Sequence, residues 1–323
     1  MKVIIPDISK QVYKEETLSV IESKYSILGP MWVTHQMEWC NGIYASFKDH
    51  DKFLIIIFLI KKTLDFYSKG FIKLSYEEFY AKSAIEINSF SIAELSHELN
   101  IPKESTRRKV LELENVGAIK RYKKKIVIDR SKYYFSKPEN SIKRISRFLS
   151  ILSEMCVIES TLSKKMTSQE LESVINYNFS YIWKIYYEMQ IPMLISYKKI
   201  FEDLESFHIY GSCVVNQHLY AKKISENYMN KKNFVNLSLT TDKMQGINAM
   251  SISDITGIPR ATVIRKLKNL VELKILTIDD KKHYRLKSDF TKKLMSTQKD
   301  VLNQLANFSS KIFNLAIIQR NQL

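Results

Sequence analysis

Glycine and proline are scarce in this chain of 323 residues, 7 and 6 respectively, which leaves little material for a succession of tight hairpins. Cysteine is scarcer still. Cys40, Cys156 and Cys213 lie far apart, an odd number with no close pair, so no disulfide framework is expected and each reads as a small buried hydrophobe in a reducing compartment. Long apolar runs are missing: the most apolar stretch, Phe53 to Ile60, is flanked by Lys52 and Lys61 and falls well short of the ~20 residues of a membrane span. It predicts a buried helix. Residues 1–6 carry no run resembling a secretory signal, so the expected location is cytoplasmic, with no membrane partner. Acidic charge is in deficit, with 34 Asp and Glu against 50 Lys and Arg, a net of +16 that nominates polyanions as partners. Chemistry-bearing patterns are also lacking. The six histidines have no metal-ligand spacing, no phosphate-cradling glycine loop or nucleophile elbow occurs, and Asp49-His50-Asp51 reads as a polar turn, so neither an enzyme nor a cofactor is expected.

What is present is enough apolar material, 45% hydrophobic and 11% aromatic, to fill cores in two domains, with Lys, Glu, Ile, Leu, Met and Tyr recurring at helical spacing. The chain should be mainly α. It also contains a repeat: residues 91–120 align with 248–277 at a constant offset of 157 without a gap. Ser96, Ile101, Pro102, Arg108, Lys109 and Leu113 are identical to Ser253, Ile258, Pro259, Arg265, Lys266 and Leu270, and Leu95, Lys103, Ser105, Val110 and Ile119 keep their character in Ile252, Arg260, Thr262, Leu267 and Leu276. Each copy predicts the same unit. Ser91, with Glu94 completing a capping box, or Asn248 starts a short helix; Ile92, Leu95 and Leu99, or Ile252 and Ile255, form its inner face. Asn100 or Gly257 breaks it. After Ile-Pro a second helix runs from Lys103 to about Glu114, or from Arg260 to about Glu272, with a buried stripe at 106, 110 and 113 or 263, 267 and 270. Two short extended segments follow, Ala118-Ile119 with Ile126 to Ile128, and Ile275-Leu276 with His283 to Leu286, a two-stranded wing.

In these residues the chain resembles the winged helix-turn-helix superfamily, in the broad sense that includes the MarR and IclR groups of bacterial regulators. The pattern is best kept in Ile252 to Leu273; the first copy departs from it with Asn100 in place of the turn glycine and Thr106 in place of valine, and the Asp-Arg-Arg-type wing of MarR proteins is missing from both copies. The resemblance implies tandem winged-helix domains joined by long helices as a pseudo-dimer, 1–140 with its motif at 91–128 and 141–323 with its motif at 248–287, and it implies double-stranded DNA as partner.

The charge agrees with that implication. Lys103 to Lys125 and Arg260 to Lys287 each hold nine basic and three acidic residues, so these two windows supply twelve of the sixteen net charges. Outside the buried stripe the second helices offer Lys103, Ser105, Arg107 and Arg108, and Arg260, Thr262, Ile264 and Arg265. Arg108 and Arg265 are the leading candidates for reading base edges. Lys109, Lys266 and the wing residues Arg121, Lys123, Lys124, Lys125, Lys281 and Lys282 are candidates for phosphate. Because Glu104 faces Ala261, Arg107 faces Ile264 and the second wing carries Asp279-Asp280, two unlike half-sites are expected, about one turn of B-DNA (~34 Å) apart.

Elsewhere, residues 1–50 with helices from Phe53 to Phe66 and from Tyr76 to Ile87 should complete the first core, Ile142 to Met166 should form one long helix, Thr167 and Glu170 a capping box, and Lys292 to Ile318 a terminal helix open to packing on a second chain. The aromatic run Tyr177 to Tyr187 reads as core or interdomain packing rather than an effector pocket. The leading function is a sequence-specific transcription regulator. A plasmid or phage replication initiator and a protein-docking scaffold remain as alternatives, and pairing of chains and a small-molecule effector stay open.

Overall fold

The computed structural model describes residues 11–81, 83–88, 90–122, 125–132, 137–225, 228–240 and 244–320. The protein is mainly helical, with two small sheets of three strands. Along the chain lie α1 (Lys14–Ser23), α2 (Tyr25–Phe47), α3 (His50–Lys69), α4 (Tyr76–Tyr80), β1 (Ala84–Asn88), α5 (Ile92–Glu98), α6 (Lys103–Asn115), β2 (Ile119–Tyr122) and β3 (Lys125–Asp129). Then come α7 (Glu139–Ile158), α8 (Ser168–Tyr177), α9 (Phe179–Phe201), α10 (Leu204–Ile224) and α11 (Lys231–Thr240). Last are β4 (Ile247–Asn248), α12 (Ala249–Thr256), α13 (Arg260–Glu272), β5 (Leu276–Ile278), β6 (His283–Leu286) and α14 (Ser288–Arg320). Among the described residues no helix is long and apolar enough to cross a membrane.

The chain divides into two compact units, and neither is continuous in sequence. The smaller unit combines 40–138 with 176–207; the larger combines 1–39, 139–175 and 208–323. The sequence reading cut the chain once, after residue 140, whereas these units cut it four times. Tertiary pairing is the reason: the backbone of Val12 exchanges two hydrogen bonds with the Asn314 amide, at 2.8 and 3.0 Å, and α1 packs along α14. The N-terminal segment and Trp32 therefore complete the core around the second copy, with Trp32 against Phe148 of α7.

Within the smaller unit α3 is the central element. Leu54, Ile55, Ile56, Ile57 and Leu59 are all buried, and the helix starts at Asp49, whose carboxylate accepts from the backbone N–H of Asp51 and Lys52. The FLIIIFLI stretch is the buried helix expected of it. It packs on α9, where Phe179, Trp183 and Tyr186 stack in succession at 5.1 and 4.8 Å between ring centres. The aromatic run thus builds core, with only Tyr177 and Tyr181 exposed.

Three expectations need correction. Tyr76 to Ile87 is not one helix: α4 ends at Tyr80, and Ala84 to Asn88 is a strand. Ile85 and Ile87 point into the core while Ala84 and Glu86 face out, a period of two that pairs β1 antiparallel to β3 as Ile85 with Ile128 and Ile87 with Ile126. Each sheet consequently has three strands rather than two, in the orders β1-β3-β2 and β4-β6-β5. α7 stops at Ile158, eight residues short of Met166, where Ser160 takes a left-handed φ of +60°. The box at Thr167 and Glu170 forms as expected, at 3.2 and 3.3 Å.

The larger unit holds its sheet through a buried side chain on α10. Gln217 accepts the Leu286 backbone N–H at 2.6 Å and donates to the Ser238 carbonyl at 2.7 Å. Gln217→Leu keeps much of the volume but strands both backbone groups, so it is expected to cost about 2–3 kcal/mol, read as a lower urea midpoint at unchanged slope. Close helix crossing is set by Gly211 on the same helix, since a Cβ there would meet Met37 Sδ at 2.0 Å. Cys40, Cys156 and Cys213 are all buried, and burial pushes their thiols up to about 12, 11 and 12. They are unreactive packing groups.

Candidate nucleic-acid interface

The repeat read from the sequence persists in the backbone at the same offset of 157. α6 and α13 begin and end at equivalent residues, 103–115 and 260–272, each entered through a proline with nearly identical dihedrals. Asn100 and Gly257 both take left-handed φ values, +50° and +68°, and so do Gly117 and Lys274 at +72° and +58°. Asparagine tolerates this conformation because its side chain is short and polar, which explains how the first copy dispenses with the turn glycine. The side-chain bonds match too. Ser96 donates to the Ile101 carbonyl and Ser253 to the Ile258 carbonyl, both at 2.7 Å, closing the turn between paired helices. The stripes at 106, 110, 113 and 263, 267, 270 are buried in both copies.

Thr106, which replaces the apolar residue of the second copy, is buried without loss because its hydroxyl bonds back to the carbonyls of Ile101 and Pro102 at 3.2 Å. Two other first-helix details differ from expectation. Ser91 caps α5 by accepting from Glu94 N–H at 3.0 Å, but the Glu94 carboxylate turns instead to Lys62 at 2.6 Å. In the second copy Thr256, not Ile255, faces inward beside Ile252; Ile255 is exposed, as Glu98 is at the equivalent place.

The cations divide the copies sharply. In the second, Arg260, Arg265, Lys281 and Lys282 are exposed, and their side chains have no ion-pair partner among the described residues. Thr262 is half-buried, and Lys266 is half-buried and already engaged. Asp279 organises the tip that carries the two lysines. Its carboxylate accepts the backbone N–H of His283 at 2.8 Å and of Lys281 at 3.0 Å, which holds its pKa below the ordinary carboxylate value, and Lys282 takes a φ of +60°. The acid read as a difference in charge is a turn-former.

In the first copy most of the described candidate cations lie beside a carboxylate. Arg107 pairs with Glu104 at 2.8 Å, Arg108 lies 3.8 Å from Glu112, Arg121 reaches Glu114 at 2.5 Å and Lys125 reaches Glu86 at 2.6 Å. Lys109 is turned inward, its side chain 13% exposed, bonded to Asp49 and 3.7 Å from Asp51, which also holds Lys198 of α9 at 2.8 Å. Its assignment to phosphate gives way to a structural role: it ties α6 to the start of α3, and the Asp49-His50-Asp51 turn is the anchor. Lys103 is exposed and Ser105 half-buried, while Lys123 and Lys124 lie outside the described residues. The pairs Glu104 with Arg107 and Arg108 with Glu112 are three and four residues apart and could have been read from the sequence. Asp49, 60 residues from Lys109, gave no local signal.

Comparison with known proteins returned no matching family model, no matching curated protein and no matching solved structure.

Proposed function

We propose that this chain binds double-stranded DNA sequence-specifically as a transcription regulator, using two winged helix-turn-helix units in which α6 and α13 are unlike recognition helices. The observation that carries this reading is the duplicated helix, turn, helix and three-stranded sheet, in which the second helix keeps one face buried and presents arginine on the other. A helix so exposed, about 20 Å long at 13 residues, suits the major groove, and the tip bearing Lys281 and Lys282 suits the adjoining backbone. Arg265 and Arg108 are the base readers in this proposal. Arg260, Lys281 and Lys282 meet phosphate, and the second copy makes the dominant contact because its charge is uncompensated.

The test is selection of bound fragments from random and genomic duplex DNA followed by footprinting. The expected result is a protected segment lying in promoters, with protection centred on the part of the site contacted by α13. Enrichment of iterated origin repeats would transfer the function to replication initiation, and failure to enrich any duplex would end the DNA reading.

A further inference from the structure

In the larger unit a cavity of about 520 Å³ opens between the end of α1, the start of α11 and the first third of α14. Ser19, Glu22 and Ser23 line it from α1, Asn230, Lys231 and Lys232 from α11, and Met295 and Lys299 from α14. That volume falls within the ~300–1,000 Å³ common for small-molecule sites, and seven of its eight lining residues carry a polar or charged group. Three lysines face one glutamate.

Lys231 is the unusual member. It is 8% exposed, and no hydrogen bond or ion pair is formed by its side chain among the described residues. Glu22 lies near enough to stabilise its charge without bonding to it, and burial draws its pKa below the ordinary lysine value. An ammonium drawn largely out of water, with Glu22 as its one acidic neighbour in the lining, favours an added anion. The surroundings are built to hold their shape. The 228–230 segment is fastened to α2 by two bonds between Met229 and Ser26, at 2.9 and 3.1 Å, and Lys24, itself paired with Glu159 at 2.5 Å, covers the Tyr228 ring. Asn230 then caps α11 by accepting the Asn233 N–H at 3.0 Å, so the positive end of a ten-residue helix is fixed at the cavity wall.

We propose that this cavity is a binding site for a small phosphate-bearing molecule, with Lys231, Lys232 and Lys299 neutralising the phosphate and Ser19 and the Asn230 amide NH2 supplying hydrogen bonds. Phosphate fits better than a single carboxylate. Three cations against one acid call for two or more negative charges, and a helix N-terminus suits tetrahedral oxyanions. Phosphate alone would leave most of the volume empty, so the natural ligand carries a larger organic part.

The test is titration of the full chain with pyrophosphate and, separately, with succinate, on wild type, Lys231→Met, Glu22→Gln and Arg265→Glu. Pyrophosphate is expected to bind saturably and at least tenfold tighter than succinate. Lys231→Met should weaken it tenfold or more, Glu22→Gln should tighten it about threefold, and Arg265→Glu should leave it within twofold. Equal binding of succinate overturns the phosphate assignment. A loss in Arg265→Glu, or unchanged affinity in Glu22→Gln, places the anion elsewhere and overturns the site, and the Glu22 variant decides even where Lys231→Met fails to fold. DNA binding enters none of these outcomes.

Discussion

Raising the salt concentration from about 50 to about 200 mM is expected to weaken duplex binding by about a thousandfold, the consequence of neutralising some six phosphates and releasing their counterions. The structure supplies enough exposed cations without breaking any close ion pair. Arg260, Arg265, Lys281, Lys282 and Lys274 are exposed in the second copy, and Lys103 and Arg108 in the first, with Arg108 only loosely near Glu112. Lys109, Arg121 and Lys125 are left out of that set, since each would first have to leave a carboxylate. Fluorescence anisotropy of a labelled duplex across the salt range measures the slope directly. A logarithmic slope shallower than about −2 would mean two phosphates or fewer, and the protein-docking reading would then be the better one.

Reversing both unpaired arginines of α13, Arg260→Glu with Arg265→Glu, is expected to lower affinity for the selected duplex by on the order of a thousandfold. Loss of a bidentate base contact accounts for ~1–3 kcal/mol, and two acids against phosphate add the rest. A double reversal on α6, Arg107→Glu with Arg108→Glu, is expected to cost about thirtyfold. These arginines already sit beside Glu104 and Glu112, the latter also held 2.5 Å from Lys52, so part of their charge is offset before any anion arrives. Exposed pairs of this kind hold by only ~0–1 kcal/mol, so they blunt the first copy's contact without abolishing it. The four side chains are exposed, and circular dichroism and thermal midpoints should not change. Equal losses from the two double variants would refute the asymmetry, and no loss from either would refute the interface.

Local sequence marks the duplicated helix, turn and helix. Ser96 and Ser253, the two Ile-Pro steps and the three-residue stripes act over five residues or fewer, a range at which capping, turn dihedrals and helical period are decided by neighbours in the chain. The strands β1 and β4 escape the sequence, which predicts helix over β1, because five and two residues of extended chain gain their stability from β3 and β6 rather than from themselves. Which cations are available depends on long-range packing. Lys109 is claimed by Asp49 and Asp51 at the start of α3, and whether a charge faces solvent or a carboxylate depends on what folds against it. The same holds for Lys231, one basic residue among fifty until α1, α11 and α14 come together beside it, and for the division of the chain, where the Val12 to Asn314 bonds join segments 302 residues apart. Local pattern fixes what a residue can do; long-range packing fixes whether it is free to do it.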